Sequence, residues 1–138
     1  MIVSIRDHTA LAGGYTTLAE ALPDLGVNAV ELHADRDFTV TSLCAGKETR
    51  HDVSTESGRA SLAGEIHQTG FTVTAFLLAT DVNGPDPARE VAWMVGMADA
   101  AAALGVPALR VDAAMTGERE MELSARQDLF AAALRAVI

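Results

Sequence analysis

Ala29-Val30-Glu31-Leu32-His33 alternates apolar with ionisable side chains. Successive side chains of a strand point to opposite faces, so Val30 and Leu32 belong to one face and Glu31 and His33 to the other. Ile2-Val3-Ser4-Ile5-Arg6, Thr72-Val73-Thr74-Ala75-Phe76-Leu77-Leu78 and Ala108-Leu109-Arg110-Val111-Asp112 read the same way. Val3, Ile5, Val30, Leu32, Val73, Leu77, Leu109 and Val111 then form an apolar face. Ser4, Arg6, Glu31, His33, Thr74, Arg110 and Asp112 form a polar one, together with Phe76 and Leu78. An open sheet covered by helices on both sides would bury these ions at a cost of several kcal/mol each when unpaired. A barrel removes the conflict, because its inner face meets only other strands and opens at the strand C-termini into a site.

Between the strands lie helix signals. Thr17-Leu18-Ala19-Glu20 is a capping box opening a first helix that Pro23 keeps short before Gly26. A second is expected from Thr55 to Thr69, burying Leu62, Ala63 and Ile66 and stopped by Gly70. Asp86 and Pro87 start a third, whose Val91, Met94, Val95, Ala98, Ala101 and Ala102 recur at helical spacing up to Gly105. Ser124-Ala125-Arg126-Gln127 reads as a capping box for a fourth, with Leu129, Phe130, Ala133, Leu134 and Val137 as its stripe. Strand and helix alternate throughout, which predicts a parallel α/β sheet with right-handed crossovers. Four βα units are half of the eight in a (βα)8 barrel. The expectation is therefore one domain over residues 1–138, a parallel (βα)4 half of a TIM barrel in a truncated chain, with a natural half-barrel as the alternative. The rival doubly wound sheet lacks support, since residues 7–14 contain neither G-x-G-x-x-G nor a P-loop.

The 138 residues are 49% hydrophobic and carry a net charge of -9, which disfavours nucleic acid and anionic membranes as partners. A single cysteine, Cys44, excludes an internal disulfide and fits a cytoplasmic location. The longest apolar run, Val91 to Val106, is interrupted by Asp99 and falls short of the roughly 20 residues a span requires.

In such an architecture the loops after the strands carry the chemistry. The segment from Ala34 to about Ser54 is long and polar, a candidate lid. Tyr15 and Phe38 offer flat surfaces for a sugar ring or serve as loop anchors. Glu31 and His33 share a face, and a carboxylate beside an imidazole can position a hydroxyl or move a proton near neutral pH. For Glu31 the competing role is an ion pair with Arg6 or Arg110. Arg110 suits a carboxylate or phosphate and Asp112 a sugar hydroxyl. Asp81 and Asn83 follow the third strand, where a turn explains them as readily as a ligand. His8, His33, His51 and His67 lie in different elements, with His67 expected on a helix surface, so no metal-ligand motif is visible. No G-x-S-x-G elbow is present either.

Leu25-Gly26-Val27-Asn28-Ala29-Val30-Glu31-Leu32 and Ala103-Leu104-Gly105-Val106-Pro107-Ala108-Leu109-Arg110-Val111 resemble the second- and fourth-strand motifs of the sugar phosphate isomerase/epimerase group, the xylose isomerase-like TIM barrels. The resemblance implies a barrel in which a divalent metal (Mn, Mg, Zn or Co) polarises a sugar carbonyl and carboxylates shuttle a proton. The family's metal ligands come from strands five to eight, so this chain is expected to bind no metal tightly and to lack activity by itself. The endonuclease IV-like nucleases share this superfamily, but acidity argues against them. The expected function is thus the N-terminal part of an isomerase or epimerase acting on a small sugar or sugar phosphate. In that reading Glu31 and His33 are catalytic, and Arg6, Phe38, Asp81, Arg110 and Asp112 contact substrate. The alternative is a noncatalytic half-barrel that binds a ligand or forms a homodimer through its open sheet edges.

Overall fold

A computed structural model describes residues 2–113 and 120–138. All four expected strands form: β1 (Ser4–Arg6), β2 (Ala29–Ala34), β5 (Thr72–Leu78) and β6 (Leu109–Val111). They lie side by side in chain order, β1-β2-β5-β6, every pair parallel. Between β2 and β5 the chain adds β3 (Thr39–Thr41) and β4 (Arg50–Asp52), a hairpin whose first strand pairs antiparallel with the end of β2. The result is an open, mixed six-stranded sheet. The expected long polar lid is thus mostly a hairpin. Its three-residue strands are too short to show alternation, and their order comes from pairing with a preformed neighbour.

The helices are α1 (Asp7–Leu11), α2 (Leu18–Asp24), α3 (Glu56–Thr69), α4 (Pro87–Leu104) and α5 (Leu123–Val137). Thr17 and Glu20 close the expected capping box of α2, Thr55 caps α3 and Asp86 caps α4. Gly70 and Gly105 end α3 and α4 in the left-handed conformation (φ 71° and 70°) that glycine adopts without a Cβ penalty. Other expectations are corrected. Helix α5 begins at Leu123 with Glu122 at its cap position, so Ser124 lies inside the first turn and makes no capping bond. Ala63 is exposed, because the inward side of α3 runs through Leu62 and the half-buried Glu65, Ile66 and Thr69. The buried side of α4 is turned toward Glu90, Trp93, Met94, Met97, Ala100 and Ala101, leaving Val95 and Ala102 exposed. The five-residue α1 went unanticipated, since so short a helix carries no periodicity.

One register shift decides which side chains face the site. Val30 pairs with Val73, but Glu31 pairs with Ala75, so Thr74 is an extra residue in β5. Its hydroxyl donates to the Val30 carbonyl (3.2 Å), occupying the polar group where the ladder is interrupted. Everything after the bulge changes face relative to simple alternation. Phe76 and Leu78 pair with Leu32 and Ala34 and are buried in the helix-side core with Leu18, Leu22, Leu62, Trp93 and Met97. Leu77, expected in that core, instead stands level with His33 and Arg110 on the opposite face.

Candidate functional site

At the C-terminal ends of the parallel strands a cavity of about 280 Å³ is lined by Arg6, Asp7, His8, His33, Leu77, Arg110 and Asp112, among others. Each comes from the C-terminal part of a parallel strand or from the one or two residues that follow it, which is where parallel α/β sheets place ligands.

Asp7 organises this end of the sheet. It directly follows β1 and its side chain is fully buried. One carboxylate oxygen accepts the His33 N–H (3.0 Å) and the other accepts the His8 N–H (2.7 Å). Where β1 stops, the β2 amide of His33 loses its strand partner, and the Asp7 side chain prolongs the ladder in its place. The same bonds draw His8 toward His33, and the rings meet at 4.9 Å between centroids with a 44° tilt. His33 is half-buried, with Nε2 3.6 Å from an Asp35 oxygen. Asp35 in turn pairs with Arg50 of the hairpin at 2.6 Å. Neither Asp7 nor His8 is among the site residues that the sequence alone suggests. The sequence signal that marks them is a run of three ionisable residues, Arg6-Asp7-His8, straight after an apolar strand.

The two cationic walls of the cavity differ from Arg36, Arg50 and Arg59, whose guanidiniums tie parts of the fold together. Arg36 forms a two-pronged bridge to the buried Glu90 (2.7 and 3.1 Å), Arg50 bonds Asp35 and Thr39, and Arg59 bonds the Val53 and Ser54 carbonyls. Arg6 and Arg110 are exposed and make no side-chain bond among the described residues. The expected ion pair of Glu31 with either is absent: Glu31 sits beside Arg6 in register but accepts the Ser4 hydroxyl at 3.3 Å. The sheet face is open to water there, so neither guanidinium needs a carboxylate to offset burial.

Of the residues assigned from sequence, His33, Arg6, Arg110 and Asp112 therefore share one cavity. Glu31 occupies the same sheet face but does not line it. Asp81 lines a separate cavity of about 250 Å³ with Arg36 and Glu90, and its backbone N–H donates to Glu90 (2.9 Å). Phe38 is elsewhere too. It adopts φ 64° at the turn into the hairpin, and its ring fills the notch at Gly96 on α4, where an added Cβ would lie 2.5 Å from Cε1. That makes Phe38 the anchor of the hairpin rather than a surface for a sugar. Tyr15 is likewise engaged, its hydroxyl donating to Asp24, a bond that raises the phenol above its ordinary pKa.

A second polar cluster holds the hairpin to α3. Glu65 accepts the Ser42 hydroxyl and the Leu43 N–H, both at 2.7 Å, and stands 3.1 Å from His51 Nε2. Burial pushes the Glu65 carboxyl up, but these three contacts outweigh it and hold the group below its ordinary value. Burial and the nearby Glu65 raise the Cys44 thiol, which is the behaviour of a protonated structural cysteine. His67 is on the surface of α3 as expected.

Among the described residues no three His, Cys, Asp or Glu side chains converge on a metal position. No helix among them is long and apolar enough to cross a membrane. Scans against protein-family models, curated proteins and solved structures each find no match to this chain.

Proposed function

We propose that this chain is the N-terminal (βα)4 part of a xylose isomerase-like barrel. Its strand-end cavity forms the first half of the site of an isomerase or epimerase acting on a small polyhydroxylated carbonyl compound. The observation that carries this reading is the convergence of His33, Arg110 and Asp112 from two nonadjacent parallel strands on one cavity at the strand C-termini. The singly wound order β1-β2-β5-β6 supports the barrel half, because chain-ordered parallel neighbours are how such barrels grow. In this site the His33 imidazole takes or gives the proton next to the carbonyl, held at its station by the Asp7 bond to its backbone. Asp112 accepts a substrate hydroxyl, and Leu77 supplies an apolar floor for the carbon chain. A divalent metal belongs to the whole-length family members. Among the described residues no ligand set for it assembles.

The second reading is a noncatalytic half-barrel that associates with a second copy. It is favoured by one observation: among the described residues β1 pairs only with β2 and β6 only with β5, so each presents a parallel edge without a strand partner there.

Binding tests the first reading without requiring turnover. Xylose titrated into the labelled chain is expected to shift the amides of His33, Leu77 and Asp112 in a nuclear magnetic resonance spectrum, and His33→Ala and Asp112→Ala are expected to weaken that response. A spectrum unchanged at high sugar concentration would refute it.

A further inference from the structure

We propose that His8 is the second proton-transfer group of the strand-end site, paired with His33 so that one ring takes a proton from the ligand while the other gives one, an assignment that rests on the cavity being the ligand site. Of the four histidines, only these two are in ring contact among the described residues. His8 stands just after β1 and His33 on β2, and both line one cavity, with ring centroids 4.9 Å apart. The backbone fixes their spacing, because the two oxygens of the buried Asp7 hold the His8 and His33 amides.

The surroundings give the rings different roles. The His8 side chain is 63% exposed, and its Nδ1 is 3.8 Å from Asp7, whose other printed partners are amides. His33 is 27% exposed and 3.6 Å from Asp35, whose charge Arg50 offsets at 2.6 Å. A proton shared by the pair therefore rests on His8, in water and beside the less compensated carboxylate, which leaves His33 as the base. A second proton is opposed by the first at 4.9 Å, by Arg6 and Arg110 in the same cavity, and by Lys47 and Arg50 in the adjoining one that His8 also lines; Asp112 and Glu48 are the facing acids. With a carbonyl compound bound, His33 removes the proton from the carbon next to the carbonyl and the His8 imidazolium protonates the carbonyl oxygen. The C–H electrons become the double bond of an enediol. His8 then takes the proton of the other hydroxyl and His33 returns its own to the former carbonyl carbon, so the carbonyl moves by one carbon and no oxidant is needed. Rings in contact leave no gap for a carbon between them. The pair works from one side of the ligand, which suits isomerisation and not inversion of a centre by groups on opposite faces.

The test follows the histidine ring signals of the labelled chain by nuclear magnetic resonance from about pH 5 to about pH 9. His8→Gln keeps the amide that Asp7 holds and removes a charge 4.9 Å from the His33 ring, so the His33 titration midpoint is expected to rise by about half a pH unit or more, the effect of two unit charges at that distance even at the dielectric constant of water. His33→Gln should raise the His8 midpoint in the same way, and His67→Gln, on the surface of α3, should move neither. Xylose is expected to shift the ring signals of both His8 and His33. Ring titrations that ignore the loss of the other histidine would overturn the proposal, as would xylose that leaves the His8 ring unmoved. In either case a His33 amide shifted by xylose keeps the polyhydroxylated-ligand reading standing, and an unshifted one removes it as well.

Discussion

Replacing Asp7 with Ala should destabilise the protein by about 3 kcal/mol, a figure built from two bonds. The carboxylate is fully buried and accepts the amides of His33 and His8 at 3.0 and 2.7 Å. A hydrogen bond to a charged group contributes about 1.5–3 kcal/mol, and a buried amide left without a partner costs about 1–3 kcal/mol. The two are unequal. His8 is an exposed residue in the first turn of α1, so its amide can turn to water, whereas the His33 amide lies inside the sheet between β1 and β5 and has no such recourse. The His33 bond therefore sets most of the loss. With a urea dependence of about 1.5 kcal/mol per M, the unfolding midpoint should fall by about 2 M. Asp7→Asn keeps one carbonyl oxygen and should lose about half as much. Urea unfolding by circular dichroism measures both, and amide exchange at His33 reports the local effect, rising in Asp7→Ala more than at Val73 or Leu32. If Asp7→Ala shifted the midpoint by less than about 0.5 M, or if the His33 amide stayed protected, the carboxylate would not be the partner that extends the β1–β2 ladder.

Arg36→Met leaves the buried Glu90 without its two-pronged partner; because Arg36 is itself partly exposed, the loss should be about 2 kcal/mol in thermal or urea unfolding. Gly58→Ala places a Cβ 1.8 Å from the Asp52 carbonyl oxygen, a backbone atom that cannot move aside, and should cost about 2–3 kcal/mol despite the better helix former. Glu65 has a lowered native pKa, so its contribution is complete above the unfolded-state value of about 4.3 and is lost as pH falls through the lowered native one. Glu65→Gln should accordingly flatten the acid limb of the stability–pH curve, and an acid limb identical to the wild type would contradict the assignment. Bare edges on β1 and β6 should make the chain associate, giving sedimentation coefficients that rise with concentration; a folded monomer at all concentrations would contradict the half-barrel reading.

Local chemistry determined much of this protein in advance. Alternation marked four strands in their right places, because each pairs with neighbours of the same period. Thr17, Thr55, Asp86, Gly70 and Gly105 marked helix ends, because a cap is an interaction among residues at most four apart. Four cavity residues, Arg6, His33, Arg110 and Asp112, were also legible, since polar groups at the ends of apolar strands need somewhere to go. Tertiary structure alone decided the rest. The bulge at Thr74 arises from how β5 meets β2, not from β5 itself, and it moved Phe76 and Leu78 into the core and Leu77 into the site. The β3–β4 hairpin exists because β2 offers an edge to pair with, and Phe38 belongs to it because Gly96, 58 residues on, leaves room for a ring. Asp7 took the His33 amide because β1 is three residues long and stops before β2 does, a mismatch of lengths that no single stretch of sequence contains.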